Sequence, residues 1–236
     1  MTGPSQKRAQ VWSTAQVADG LLGLLGDRDR ERLLSVSGRR TFARNEVVCH
    51  EGEPGETLYI VRSGRLAVRV TSQAGAVATL AILSPGRSFG ELALLQDHHT
   101  RTATVVALEP AETVTLSRAA FEDARRSYPE VAHFVTRLLA ERVEQLSQSL
   151  LEAMYLGVDE RLARRLVELA EIYGPGRPRV VVPITQDDLA GMTGTTRPTA
   201  NLVLGKLADA GIVRLERGRI EILDLAGLRR QGGLLG

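Results

Sequence analysis

Short apolar runs separated by turn residues occupy the chain between residues 39 and 117. The runs are rich in β-branched and aliphatic side chains and cover Glu46–His50, Leu58–Val61, Arg65–Val70, Val77–Leu83, Thr102–Leu108 and Glu112–Leu116. Glycine and proline separate them, as at Gly52–Gly55, Ser63–Gly64 and Ser84–Gly86. Many short strands at steady spacing are typical of a β-sandwich or barrel. We therefore expect an antiparallel β-domain here.

The residues before this region predict only small elements. Residues 1–15 are polar apart from an isolated Trp12, and we interpret them as a flexible tail. From Ala15 to Val36 the apolar positions suit short helices that are interrupted by glycines.

A helical period begins at Pro129. Apolar residues recur at steps of three and four, at Val131, Val135, Leu139, Val143, Leu146, Leu150 and Met154. This pattern predicts one long helix over residues 129–155 with a narrow apolar stripe. A stripe of this length favours pairing with an identical helix; the alternative is a helix that packs on its own barrel. Leu156-Gly157-Val158 interrupts the pattern and predicts a hinge.

The chain beyond the hinge predicts two short helices joined by a glycine turn. After a helix from Asp159 to Tyr173 and a short strand at Val180–Val182, Thr185 can cap a helix that carries acidic residues in its first turn. Gly194 supplies the turn, and Thr196 can cap a second helix with Pro198 near its start. This arrangement predicts a helix-turn-helix.

A β-hairpin with a basic tip is predicted after these helices. Its strands are Gly211–Leu215 and Arg219–Leu223, joined by Glu216-Arg217-Gly218, and together with the two helices they indicate a winged helix. The segment from Gly194 to Arg219 contains five basic residues and two acidic ones, although the net charge of the whole chain is only +2. The positive charge is therefore concentrated where nucleic-acid binding would need it.

Composition excludes several classes of protein. A chain of 236 residues with 43% hydrophobic and 25% charged residues has room for two globular domains. No apolar run approaches a membrane span, so we expect a cytoplasmic protein without a membrane partner. A single cysteine excludes an internal disulfide and an iron–sulfur cluster. No paired carboxylates, nucleophile triad or closed metal motif is present, so we expect neither catalysis nor a metal site.

The most informative stretch is Phe89–Val105, with the sequence FGELALLQDHHTRTATV. Gly90 can adopt backbone conformations that let the chain approach an anion, and the apolar residues after it predict one helical turn with free amides. The Glu91 carboxylate can accept hydrogen bonds from a ribose. Arg101 offers a planar fork matched to phosphate oxygens, and Thr102 adds a hydroxyl. These residues together predict a pocket for a sugar phosphate.

The order F-G-E-L-A-L-L, loop, R-T-A-T-V resembles the phosphate-binding cassette of cyclic-nucleotide-binding domains. The C-terminal segment is similar to the DNA-binding domain of the Crp/Fnr transcription regulators. The resemblance implies an α+β fold with an N-terminal cyclic-nucleotide-binding β jelly roll at 16–128, a dimerisation helix at 129–155, a hinge at 156–158 and a winged helix-turn-helix domain at 159–236.

The same resemblance implies the roles of individual residues in the pocket. Glu91 would bind the ribose 2′-hydroxyl and Arg101 the cyclic phosphate, with further contacts from Gly90, Leu92 and Thr102. Leu146 and Ser147 of the long helix would face the base. Many cAMP-responsive relatives carry two neighbouring hydroxyl residues there and this chain carries one, so cAMP and cGMP both remain candidate effectors. No other cofactor is expected.

By resemblance, the second helix of the helix-turn-helix enters the major groove of double-stranded DNA. Arg197 would contact guanine or a phosphate, Asn201 would pair with adenine, and Thr199 and Arg217 would contact the backbone. The other candidate DNA contacts are Thr185, Thr195, Thr196 and Lys206. Pro198 and Leu202 stand where some relatives carry a glutamate and a second arginine, so the operator is expected to differ.

The function implied is that of a homodimeric transcription regulator. A cyclic nucleotide, most simply cAMP, would reposition its reading heads on a palindromic operator, with RNA polymerase as a further partner. One alternative is a protein of the same fold that binds DNA independently of any ligand. Another is a haem-based gas sensor that uses Cys49, His50, His98 or His99, but it leaves Glu91 and Arg101 without a purpose.

Overall fold

The computed structural model describes residues 20–73, 75–96 and 99–234. The predicted tail and its Trp12 lie outside these residues. The first described elements are a short 3₁₀ turn at Leu21–Gly23 and a helix, α1, at Asp27–Ser35. These are the short helices that the glycine-interrupted pattern predicts.

Eight antiparallel strands then form two facing sheets. They are β1 (Gly38–Phe42), β2 (Val47–Cys49), β3 (Thr57–Ser63), β4 (Leu66–Thr71), β5 (Val77–Leu83), β6 (Ser88–Phe89), β7 (Thr104–Ala107) and β8 (Ala111–Ser117). One sheet has the order β1-β8-β3-β6 and the other β2-β7-β4-β5. The six strands predicted from apolar runs are confirmed. β1 was not predicted because four of its five residues, including two arginines, are exposed.

β3 is buried on both faces. One face lies against the core between the two sheets, and the other lies against a layer of helices. Tyr59 and Val61 point into the core between the sheets, whereas Leu58 and Ile60 pack against helices. The helices in contact with this second face include α3 (Arg118–Ser127) and the start of α4 (Pro129–Tyr155). A short helix between β6 and β7, α2 (Glu91–Leu95), occupies the cassette.

The two halves of α4 have different environments. Its N-terminal half packs on the β-domain through Val131, Phe134, Val135 and Leu138, which are at most 8% exposed. In its C-terminal half, Val143, Leu146, Leu150 and Met154 are 59–63% exposed. The long-helix prediction is confirmed. Packing on the barrel accounts for the first half of the stripe and leaves the second half exposed, without a partner among the described residues.

The C-terminal domain has the predicted elements in the predicted order. They are α5 (Val158–Tyr173), β9 (Val180–Val182), α6 (Gln186–Thr193), α7 (Arg197–Asp209), β10 (Val213–Glu216), β11 (Arg219–Ile222) and an additional helix, α8 (Leu225–Gln231). A capping box between Thr185 and Asp188 starts α6, and Gly194 ends it in the left-handed conformation. Val158, expected in the hinge, is already helical, so Leu156 and Gly157 alone separate α4 from α5.

The C-terminal domain rests on the β4–β5 side of the sandwich. Arg69 Nη2 lies 2.6 Å from Asp188 Oδ1 of α6. Arg65 donates a hydrogen bond to the Ile172 carbonyl at 2.8 Å, and its guanidinium lies 4.1 Å from the ring centre of Tyr173. Burial at this contact, together with nearby Glu109, raises the pKa of Tyr173 to about 12. The interface therefore combines one short ion pair with a stacked cation and a neutral phenol.

Candidate nucleotide pocket and DNA-reading surface

Gly90 forms the turn between β6 and α2 in a conformation that other residues rarely adopt. Its φ angle is +92°. A Cβ atom at this position would lie 2.4 Å from Arg101 Nη1 and 2.7 Å from the Thr57 carbonyl oxygen. Glycine is therefore required both by the backbone conformation and by the close approach of the arginine.

Arg101 is buried beneath this turn, with a 6% exposed surface. Its Nη2 donates to the Thr57 carbonyl at 2.9 Å, and its Nη1 to the Gly90 carbonyl at 3.4 Å. The guanidinium also lies 5.4 Å from the ring centre of Tyr59. Its Nε is buried without a hydrogen-bond partner among the described residues. The structure thus holds a buried cation whose plane is fixed by two carbonyls and whose Nε–H has no partner among the described residues.

Glu91 is the second buried charged group of the cassette. It is 1% exposed, and neither carboxylate oxygen accepts a hydrogen bond from any described residue. Arg142 Nη2 approaches Oε1 at 3.4 Å, within ion-pair range but outside hydrogen-bond geometry. A buried carboxylate without donors is costly. A ligand with a hydroxyl group would remove that cost.

Both groups line one cavity of about 40 Å³. It also contacts Gly90, Leu92 and Thr102, so the structure brings together the five cassette residues that the sequence singled out. Its apolar walls come from Cys49, Val68, Phe89 and Val105. A buried water needs about 10–15 Å³, so the cavity has room for a few waters. A bound nucleotide would have to extend through its open side.

Arg142 of α4 also lines the cavity, and sequence reasoning missed it. It follows the buried Leu138 by four residues and Val135 by seven, which places an arginine on the buried face of the helix. That position was a usable signal. Leu146 and Ser147, expected to face the base, are exposed one turn further along and do not line this cavity.

The described residues of the haem alternative, Cys49, His50 and His99, are not gathered at one centre. Cys49 is buried in the cavity wall, His50 is exposed, and His99 Nδ1 lies 3.2 Å from the Ala93 carbonyl. His98 lies outside the described residues. Within the described residues, no three His, Cys, Asp or Glu side chains are grouped so that they could hold a metal ion.

The predicted DNA contacts lie around α7 and the hairpin turn. Asn201 and Arg217 are exposed, and Thr195 is half-buried. Thr185 and Thr196 cap α6 and α7, and the Thr196 and Thr199 hydroxyls lie 2.9 Å apart. The hydroxyls of Thr185, Thr196 and Thr199 are therefore engaged within the domain.

The two cations of α7 are paired with acidic residues. Arg197 Nη1 lies 3.4 Å from Asp187 Oδ2, and Lys206 Nζ lies 2.7 Å from Asp159 Oδ2. All four side chains are 58–62% exposed. Exposed pairs contribute about 0–1 kcal/mol, so either cation can exchange its partner for DNA at small cost.

Among the described helices, none is both long and apolar enough to cross a membrane.

The architecture is that of a small-ligand sensor domain joined by a long helix to a winged helix-turn-helix. Residues 39–128 match the cyclic nucleotide-binding domain family, and residues 160–231 match the Crp-like helix-turn-helix domain family. A CRP-like cAMP-activated global transcriptional regulator of Mycobacterium tuberculosis is 32% identical over 193 residues, covering 80% of this chain and 86% of its own. A cyclic AMP receptor protein of Thermus thermophilus is 34% identical, covering 86% and 91%.

A solved structure agrees with these relationships. A CRP-family transcriptional regulator from Thermus thermophilus superposes with a TM-score of 0.70 at 28% identity, covering 82% of this chain and 96% of its own. The chain belongs to the Crp/Fnr family. It is a DNA-binding transcription regulator with a cyclic-nucleotide-binding domain, and its relatives are regulators rather than enzymes.

We expect Cys49, the only cysteine of the chain, to report occupancy of the cavity. Burial raises the pKa of its thiol above the usual range of a cysteine, and the thiolate is the reactive form. Alkylation by iodoacetamide should therefore be slow at pH 7 and accelerate only at alkaline pH. Saturating cyclic nucleotide should slow it several-fold, as measured by intact-mass spectrometry over time.

Urea-denatured protein provides the control, because an unfolded thiol reacts at the ordinary rate with or without nucleotide. Identical rates for the folded protein with and without saturating nucleotide would show that the nucleotide does not enter this cavity.

Proposed function

We propose that the cavity between Glu91 and Arg101 binds a cyclic nucleotide, most simply cAMP, and that binding alters how the helix-turn-helix engages DNA. The observation that carries the proposal is the pair of buried, incompletely satisfied charged groups in one cavity. The names of the relatives from Mycobacterium tuberculosis and Thermus thermophilus support cAMP as the effector.

The geometry suggests a role for each cassette residue. The spare Nε–H of Arg101 would donate to the cyclic phosphate, and Glu91 would accept from the ribose 2′-hydroxyl. Gly90, Leu92 and Thr102 would complete the cradle from the same cavity wall. Arg142 of α4 lies beside the same carboxylate, so a ligand bound to Glu91 would change this ion pair and thereby the position of α4.

Glu91→Gln and Arg101→Lys are expected to weaken nucleotide binding about tenfold to a hundredfold, since hydrogen bonds to charged groups contribute about 1.5–3 kcal/mol. Calorimetry with cAMP and with cGMP measures the loss and identifies the preferred base. Arg87→Ala is the matched control, because Arg87 is 52% exposed in its ion pair and does not line the cavity.

Two outcomes would contradict the assignment. If the unmodified protein binds neither nucleotide in the micromolar range, the cavity is not a nucleotide site. If it binds but both cassette variants bind equally well, the nucleotide occupies a different place.

The exposed half of α4 supports a homodimer. Crp-like regulators typically act as dimers, and the exposed stripe of Val143, Leu146, Leu150 and Met154 is the kind of apolar surface that a second copy of α4 would cover. In such a dimer, Leu146 and Ser147 would lie near the helix pair rather than within one chain's cavity. Paired reading heads would then match a palindromic operator, and RNA polymerase would be a further partner.

Leu150→Glu combined with Met154→Glu is expected to convert the dimer to monomer at micromolar concentration, because four buried carboxylates would face one another across the helix pair. Analytical ultracentrifugation measures the change. Gln148→Glu adds a charge on another face of the same helix and should leave the dimer intact. A double variant that remains dimeric would place the dimer contact elsewhere.

One strand contacts both the cavity and the DNA-binding domain. Val68 of β4 lines the cavity, and the next residue, Arg69, pairs with Asp188 of α6. Adjacent residues of a strand point to opposite faces, so β4 contacts the cavity on one face and α6 on the other. Movement of β4 on ligand binding would therefore shift the ion pair with the helix-turn-helix. We propose this strand as a route of coupling beside α4.

Arg69→Ala is therefore expected to reduce the ratio of DNA affinities measured with and without nucleotide towards one. Couplings of this kind commonly amount to about 5–150-fold. Fluorescence anisotropy on one duplex, with and without cAMP, measures the ratio. Arg125→Ala removes a pair within α3 that does not touch the C-terminal domain and should leave the ratio unchanged. An unchanged ratio in Arg69→Ala would assign the coupling to α4 alone.

A second candidate is a regulator of the same fold that binds DNA without a ligand. The approach of Arg142 to Glu91 favours it, because a cation from the chain itself already lies beside the carboxylate. Equal DNA affinity with and without either nucleotide would establish this second function.

A further inference from the structure

A leucine lies in the middle of the outer face of α7. Leu202 is 65% exposed, whereas Ala200, Val203 and Leu204 on the inner face are at most 3% exposed. Pro198, four residues earlier, is exposed as well. Residues four apart are neighbours on a helix surface, so the two form an apolar strip along the outer face of α7.

Single exposed leucines are common, so the functional interpretation of this strip depends on the residues around it. Arg197, Asn201 and Lys206 are exposed on the same helix and carry side chains that bind phosphates and base edges. An apolar strip set among such donors, on the helix expected to enter the major groove, would be placed directly against base edges.

We propose that Leu202 contacts the C5-methyl group of a thymine and makes the operator select thymine at that base pair. Thymine is the base that presents a methyl group in the major groove, and apolar side chains read it by contact. Against any other base edge, Leu202 would cover a donor or acceptor without replacing its hydrogen bond, which carries a cost. The favourable methyl contact and the cost of covering any other base edge therefore both select thymine. The inference rests on the operator binding proposed above.

The position of Leu202 along the helix indicates which part of the half-site is involved. Five residues separate it from Arg197, or about 7.5 Å of helix rise. One base step along a strand is about 3.4 Å. The thymine is therefore expected about two base pairs from the base or phosphate that Arg197 contacts.

The test begins with selection of duplexes from a random library by the full-length protein, with and without cAMP. Each thymine of the selected duplex is then replaced singly by deoxyuridine, which removes only the methyl group. At one position per half-site, this replacement should weaken binding of the unmodified protein about fourfold, equivalent to about 0.8 kcal/mol. Leu202→Ala should bind the thymine and deoxyuridine duplexes equally at that position.

Val181→Ala is the matched control, since Val181 is a 48% exposed apolar residue of the same domain outside α7. It should retain the full deoxyuridine effect. The inference is overturned if no deoxyuridine weakens binding, or if Leu202→Ala remains as sensitive as the unmodified protein. A selection that enriches no sequence in either condition would overturn the proposed operator binding as well, which separates the two failures.

Discussion

The structure depends on how the chain accommodates two charged side chains in one cavity. Glu91 and Arg101 are both nearly inaccessible to solvent, and neither has its full set of hydrogen bonds. The β-sandwich makes this possible, because its two sheets hold the cassette between β6 and β7 in a fixed frame. The glycine turn at Gly90 leaves room for the guanidinium, and the carbonyls of Thr57 and Gly90 fix its plane. The cost of these unsatisfied groups is what a polar ligand would relieve.

The cavity also contacts two elements that connect the β-domain to the DNA-binding domain. Arg142 brings α4 to it, and Val68 brings β4, whose next residue holds the DNA-binding domain through Asp188. A ligand that satisfies Glu91 would compete with Arg142, and one that presses on Val68 would act on the strand behind Arg69. Differential contact of this kind is the physical requirement for a ligand to shift a conformational equilibrium.

Most polar groups on the predicted DNA-binding surface are already paired within the domain. The cations of α7 are held in exposed ion pairs of small energy, and the hydroxyls of Thr185, Thr196 and Thr199 are engaged in caps and local contacts. Asn201 and the apolar strip of Pro198 and Leu202 remain as the freely presented groups on the outer face of α7. Sequence preference in this protein is therefore expected to depend on a methyl contact as well as on the arginine.

The sequence alone determined the identity and order of most elements and the composition of the cassette, because these follow from local rules. Side-chain period, capping residues and glycine turns act within a few positions, and they correctly predicted six strands of the sandwich, the long helix, the helix-turn-helix and the three strands of the C-terminal domain. Two strands of the sandwich were missed: β1, because an exposed edge strand with two arginines has no apolar alternation, and β6, because two residues are too few to form a pattern.

Only the tertiary structure decided which distant residues meet. It placed Arg142 rather than Leu146 and Ser147 at the cavity, split the stripe of α4 into a buried and an exposed half, and paired Arg69 with Asp188. These contacts join residues dozens to more than a hundred positions apart. They depend on how sheets and helices stack; the local pattern marks the face of α4 on which Arg142 lies, but not the residue that this face meets.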